Sequence, residues 1–142
     1  MDKLKDYPVV ISVPVQWGDQ DSFRHVNNVM YIRWFESARI AYAERIGVWS
    51  LYDEEKIGLI LASITCNYRR PVNYPDIVRV GSRISRIGRS SVTMEHKVLN
   101  GDGDVVADGD SVVVVYDYNH GRPYPLRQSM RAAISELEGK SF

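Results

Sequence analysis

Between Asn27 and Ile46 the chain carries one long helical pattern, and everything from Ile57 to about Tyr118 after it reads as strand. At about 100° per residue, Met30, Tyr31, Trp34, Phe35, Ala38, Ala41, Tyr42 and Ile46 fall within an arc of about 160°. Arg33, Glu36, Arg39 and Glu44 lie outside that arc, and Arg45 intrudes in the last turn. An apolar face this wide and aromatic suits a helix gripped by a curved sheet more than one resting on a flat surface. Gly47 follows, a residue suited to stopping a helix.

The strands around this helix can be read from their punctuation. Val9 to Trp17 mixes β-branched residues with Pro8 and Pro14, which predicts an edge strand. Ile57–Tyr68 ends at a break carrying Pro71 and Pro75, and Ile77–Ile87 follows. Within Ser90–Leu99, Val92, Met94, His96 and Val98 alternate with Thr93, Glu95 and Lys97, the period of a half-buried strand. Asn100-Gly-Asp-Gly103 supplies residues that accept positive φ in a hairpin turn, before the Val-rich run Val105–Tyr118. A short amphipathic helix is expected at about Leu126–Leu137. The order is strand, long helix and four antiparallel strands: an α+β fold with one helix across one sheet. No repeat or linker-like stretch divides residues 1–142, so a single domain is expected, and 142 residues can bury a core without staples.

Eighteen basic residues balance eighteen acidic ones, so no global positive field exists to hold a nucleic acid. The one cysteine, Cys66, has no partner for an internal disulfide, which fits a reducing compartment. The opening Met1-Asp-Lys-Leu-Lys-Asp lacks the apolar core of a secretory signal, and no aliphatic run approaches a membrane span. A cytoplasmic location without membrane insertion is therefore expected. Charge is nonetheless polarised along the chain. Arg69, Arg70, Arg79, Arg83, Arg86 and Arg89 share their stretch with a single acid, Asp76, while Asp102, Asp104, Asp108, Asp110 and Asp117 share theirs with no base. Such runs suit either pairing across a sheet or a guanidinium site for phosphate.

The loop before the long helix holds the densest polar set: Asp19, Asp21, His25, Asn27 and Asn28. A helix N-terminus offers unpaired N–H groups and the positive end of the macrodipole, which favour a developing oxyanion. A carboxylate a few residues upstream can then act as nucleophile or general base toward a carbonyl held there. Against this stands a plain reading, in which Asn27 caps the helix and the aspartates shape a turn. Asp19, Asp21 and His25 are also metal-ligand types, but no further ligands accompany them, so no metal is expected.

The segment Trp17-Gly-Asp-Gln-Asp-Ser-Phe-Arg-His-Val-Asn-Asn-Val-Met-Tyr-Ile-Arg-Trp-Phe-Glu-Ser-Ala-Arg39 resembles the signature of the hotdog-fold thioesterases of the 4-hydroxybenzoyl-CoA thioesterase type. That pattern has a D-x-D loop, a G-H-V-N-N-like run, a Tyr three residues on and an E-x-x-R on the helix. Weaker similarity continues through Tyr68–Pro71, Asp76, Ile87–Ser91 and Asp102-Gly103. The resemblance implies a hotdog fold: a long central helix wrapped by a curved antiparallel five-stranded sheet, assembled as a homodimer or homotetramer with its site at a subunit interface. It implies hydrolysis of an acyl-CoA or acyl-carrier-protein thioester, CoA entering only as part of the substrate and no separate cofactor being needed. Matched position by position, Asp21 becomes the catalytic carboxylate and the N–H near Asn28 the oxyanion donor. His25 and Asn27 would orient the site, and Tyr31 would line the acyl pocket. Arg69, Arg70 and Arg89 become candidates for the CoA phosphates. The chain departs from the pattern at Arg24, where many relatives carry Gly; a long cation there would narrow the entrance or meet a phosphate.

Other residues carry plainer expectations. Glu36 and Arg39, three apart on the helix, are expected to form a structural ion pair. His96 is expected as a packed or interface histidine, and His120 as an exposed one. Tyr31, Trp34 and Tyr42 suit an acyl tunnel or a core equally. A non-catalytic acyl-CoA-binding module is the alternative to hydrolysis, although a carboxylate beside a thioester oxygen serves a binder poorly. Dehydration of a hydroxyacyl thioester would require a second acid, and none is evident.

Overall fold

The computed structural model describes residues 2–142. Strand β1 (Val9–Pro14) leads through a single 3-10 turn (Trp17–Asp19) to α1 (Asn28–Arg45) and α2 (Val48–Glu55). Strands β2 (Ile57–Tyr68), β3 (Ile77–Ile87), β4 (Ser91–Leu99) and β5 (Val105–Asp117) follow. A two-residue β6 (Arg122–Pro123) and α3 (Gln128–Glu138) close the chain. The sheet is antiparallel in the order β1-β3-β4-β5-β2, with β6 added beside β5. Register shifts at Leu61/Ser63, Ile84/Arg86 and Val98/Leu99 mark bulges, which bend and twist their strands so that the sheet curls about α1. This is the hotdog arrangement, with the expected five principal strands.

Helix α1 buries Tyr31, Trp34, Phe35, Ala38 and Tyr42, while Met30, Ala41 and Ile46 are partly covered. Fully burying a residue such as Phe35 contributes roughly 1.5–3 kcal/mol. Toward its start the helix packs on Val78, Val80, Val98 and Val106; toward its end it packs on Ile84, Met94, Val113 and Val115. Ala43, outside the expected arc, is buried too, in one cluster with Val48 at the start of α2. Helix α3 is tied in through Glu138, whose carboxylate accepts from Tyr42 Oη (2.5 Å) and from the Ile84 N–H (2.8 Å).

Two boundaries differ from expectation. The first strand stops at Pro14 rather than continuing to Trp17, because Gln16 to Asp19 form a tight turn in which the Asp19 carboxylate accepts the Gln16 N–H at 2.8 Å. The chain after Gly47 does not run directly into strand. Gly47 adopts φ +80° and reinitiates a helix, which Lys56 ends at φ +58°. On the sheet face away from α1, Arg83 pairs with Glu95 at 2.7 Å and lies over the Tyr7 ring.

Candidate active site

The loop between β1 and α1 is held by its own backbone. Asp21 N–H donates to the His25 carbonyl (2.8 Å), Arg24 N–H to the Asp21 carbonyl (3.0 Å) and Asn27 N–H to the Asp19 carbonyl (2.8 Å). Val26 N–H reaches the Val72 carbonyl at 2.8 Å, tying the loop to the segment after β2. The turn places Arg24 at φ +63°, a left-handed conformation that glycine adopts without cost. The departure at Arg24 therefore falls where the backbone itself favours Gly. Arg24 is exposed and has no carboxylate within 4.0 Å among the described residues.

Asp21 is anchored at one oxygen and open at the other. Its Oδ1 accepts the Phe23 N–H at 2.8 Å and the His25 N–H at 3.4 Å, whereas Oδ2 has no protein partner among the described residues. Asn27 caps α1 by accepting the Val29 N–H at 3.0 Å. The Asn28 N–H at the helix start is left without a partner among the described residues, while its carbonyl accepts from Tyr68 Oη at 3.1 Å. An open carboxylate oxygen and a free helix N-terminal amide thus share one end of the molecule.

A cavity of about 300 Å³ lies between them, bordered by Asp21, His25, Asn28, Tyr31, Arg69 and Arg70. Six of the residues singled out from sequence are therefore brought together. Asn27 stands behind this set as the cap. Tyr31 forms the buried floor, edge-on to Tyr68 (centroids 5.1 Å apart), and burial pushes its phenol up to about 12. Arg89 is not in the set: it lies in the β3–β4 turn at the opposite end of the sheet, its carbonyl accepting the Leu126 N–H. A common phosphate site with Arg69 and Arg70 is thus excluded within one copy. Those two are themselves engaged, Arg69 with Asp108 through two bonds (3.0 and 3.1 Å) and Arg70 with Asp104 at 3.3 Å. The basic and acidic runs meet across strand ends, as charge order alone allows.

The expected Glu36–Arg39 ion pair is absent: no such contact lies within 4.0 Å. Arg39 is turned inward and half-buried, while Glu36 is exposed. Arg39 Nη1 donates to Ser111 Oγ at 3.2 Å. Ser111 Oγ is 2.8 Å from His96 Nε2, and His96 Nδ1 is 3.3 Å from Ser82 Oγ. His96 is packed, as expected, and stacks on Phe35 with centroids 4.7 Å apart. His120 is exposed yet not free, its Nδ1 lying 2.7 Å from Asp117 Oδ2. Arg39 and Glu36 line a second cavity, about 470 Å³, between α1, α2 and the start of β2. Periodicity did not reveal it, because one wall is the unforeseen α2.

Comparison with known proteins decides the family. Residues 15–134 match the model of the thioesterase-like superfamily. The chain belongs to that superfamily. A thioesterase from Thermus thermophilus, solved in complex with coenzyme A and Zn, superposes with a TM-score of 0.86 at 36% identity, over 97% of this chain and 99% of that one. A thioesterase-superfamily structure from Jannaschia sp. CCS1 has a TM-score of 0.83 at 26% identity, over 92% and 83% of the two chains. The long-chain acyl-CoA thioesterase FadM of Escherichia coli K12 is 26% identical over 118 residues, 82% of this chain and 89% of FadM. Among the described residues of this superfamily member, no group of three His, Cys, Asp or Glu side chains is placed to hold a metal ion.

Proposed function

We propose that the protein is an acyl-CoA thioester hydrolase in which Asp21 is the catalytic carboxylate and the Asn28 N–H the oxyanion donor. The observation that carries this reading is the pairing itself, an open Asp21 Oδ2 and a free Asn28 N–H on one cavity of a thioesterase-superfamily chain. The thioester carbonyl, set against the start of α1, is polarised by that amide and by the helix dipole. The open oxygen of Asp21 supplies the electron pair that hydrolysis needs, to the carbonyl carbon directly or to a water that it deprotonates. Collapse of the tetrahedral oxyanion expels the CoA thiolate, which takes up a proton; attack by water leaves the free acid at once, whereas direct attack leaves an acyl–Asp21 anhydride that a water then hydrolyses to the free acid and the regenerated carboxylate. His25 borders the reacting volume, and Asn27 fixes the helix start by its cap. CoA rather than a carrier protein is favoured by the relatives, one described with coenzyme A bound and one named for acyl-CoA.

The assembly is a homodimer through β2. That strand is an edge of twelve residues with no proline, and it exposes Ile60 and Leu61 near its middle. The other edge, β1, is half as long and bounded by Pro8 and Pro14. A two-fold pairing of two β2 edges lays the Tyr68 end of one copy beside the Ile57 end of the other.

A panel of acyl- and aryl-CoA thioesters, read by release of free thiol, tests the activity. Turnover above background on at least one member is expected. Tight binding without turnover across the panel would replace hydrolysis by the binding-module reading.

A further inference from the structure

The turn that carries Asp21 presents two adjacent side chains that the fold itself does not use. Phe23 is 83% exposed and serves the turn through its backbone, its N–H reaching Asp21 Oδ1 at 2.8 Å. A single exposed apolar side chain is common on protein surfaces. Phe23 gains meaning from its neighbour. Arg24 holds φ +63°, a left-handed conformation that disfavours any Cβ, at the position where the family pattern has Gly. A non-glycine residue held there points to a use for its side chain. Arg24 is exposed and has no carboxylate within 4.0 Å among the described residues. Arg69 and Arg70, the two arginines bordering the Asp21 cavity, are instead paired with Asp108 and Asp104. Arg24 is thus the arginine beside this cavity left to meet an anion from outside.

We infer that Phe23 and Arg24 form a subsite for the nucleotide end of CoA, Arg24 pairing with the pyrophosphate and the Phe23 ring stacking on the adenine. The inference rests on the hydrolase reading above and names what holds the far end of its substrate. Neither residue borders the cavity, so both side chains project outward from the turn. The Arg24 N–H lies 3.0 Å from the Asp21 carbonyl, which makes the two residues the ends of one tight turn. An Arg side chain extended away from that turn sets its guanidinium roughly 12–16 Å from the Asp21 carboxylate by standard bond lengths. On the same bond lengths an extended pantetheine arm spans about 16 Å from sulfur to pyrophosphate. A thioester carbonyl set between Asp21 and Asn28 therefore delivers its pyrophosphate to the neighbourhood of Arg24, with the adenine following it. A guanidinium fork matches the phosphate oxygens, and an aromatic ring beside it matches the base. The acidic surface of a carrier protein would call for several free cations, and Arg69 and Arg70 are already paired.

The test strips the substrate from its nucleotide end, with one acyl group carried on CoA, on 4′-phosphopantetheine and on pantetheine. Wild type, Phe23→Ala and Arg24→Gly are compared by kcat/KM on the three thioesters and by Kd for their non-hydrolysable thioether analogues. Wild type is expected to favour phosphopantetheine over pantetheine by about fivefold or more, an advantage that shrinks with added salt. It is expected to favour CoA over phosphopantetheine by about fivefold or more as well. Arg24→Gly brings the first ratio close to one, and Phe23→Ala the second. All three substrates meet the same Asp21 loop, so damage to catalysis itself cancels in these ratios. Gly accepts φ +63°, and Arg24→Gly is expected to unfold at the wild-type temperature or above it. Ratios near one in wild type, or a ratio unchanged by its own variant, would overturn the inference while leaving hydrolysis intact. An effect of Phe23→Ala confined to acyl-carrier-protein thioesters would overturn it in favour of a protein partner. Thioether analogues that lose affinity in these two steps, with no turnover of any thioester, would overturn the hydrolase reading and sustain the subsite.

Discussion

Burial drives the His96 imidazole down to about 3, and the Arg39 charge beyond Ser111 pushes the same way. The unfolded chain takes up its proton near 6.5, whereas the folded chain stays neutral through that range. Between pH of about 4.5 and 6.5 the unfolded state therefore binds more protons, so stability rises with pH by up to about 1.4 kcal/mol per unit. Above about 6.5 the contribution is complete and the slope vanishes. Urea unfolding at intervals across this window is expected to show that slope in the wild type and a flatter one in His96→Gln. Equal slopes would show that the buried histidine is not its source. At this scale the sequence was legible where a placement depends on local order: Asp21, Asn27 and Asn28 sit in one loop and one helix turn, so spacing alone groups them. Arg39 was not legible. Its partner Ser111 lies on β5, and a spacing rule along α1 points instead to Glu36.

The pairing of β5 with β2 depends on the absence of a side chain at Gly109. A Cβ there would overlap the carbonyl oxygen of Thr65 and crowd Cys66, both backbone atoms that cannot swing aside. Gly109→Ala is expected to destabilise the protein by about 3 kcal/mol or more, through strain that must be relieved by parting the strands. Chemical denaturation measures this, and a loss within about 0.5 kcal/mol would show that the sheet absorbs the methyl group. Strands and the long helix were readable as elements because their periods persist over many residues. Helix α2 was not: its eight residues carry one buried position, Val48, too few for a period to show. The contacts of Arg69 with Asp108 and of Arg70 with Asp104 also escaped a reading of charge runs, since strand register decides which residues of the two runs meet.

As a whole molecule, the monomer leaves one long unpaired edge, and the cavity beside Asp21 and the cavity beside Arg39 lie toward opposite ends of that edge. Light scattering at micromolar concentration is expected to give a dimer or a multiple of it. A charged pair at the edge, Ile60→Lys with Leu61→Lys, is expected to shift the mass toward monomer and to lower turnover with it. A monomeric wild type with full activity would contradict the shared site. In the proposed mechanism one carboxylate, open toward the start of α1, performs the hydrolysis. Asp21→Asn keeps the shape and the Oδ1 acceptor of the turn while removing the charge, so fold, assembly and binding of a thioether analogue are expected to persist. Asp19→Asn serves as the comparison, because the Asp19 carboxylate accepts the Gln16 N–H and an amide oxygen can do the same. The decisive measurement is kcat for the best acyl-CoA in these two variants against wild type. A fall of about a hundredfold or more is expected in Asp21→Asn and only a few-fold change in Asp19→Asn. A folded Asp21→Asn protein that hydrolyses within a few-fold of wild type would contradict it.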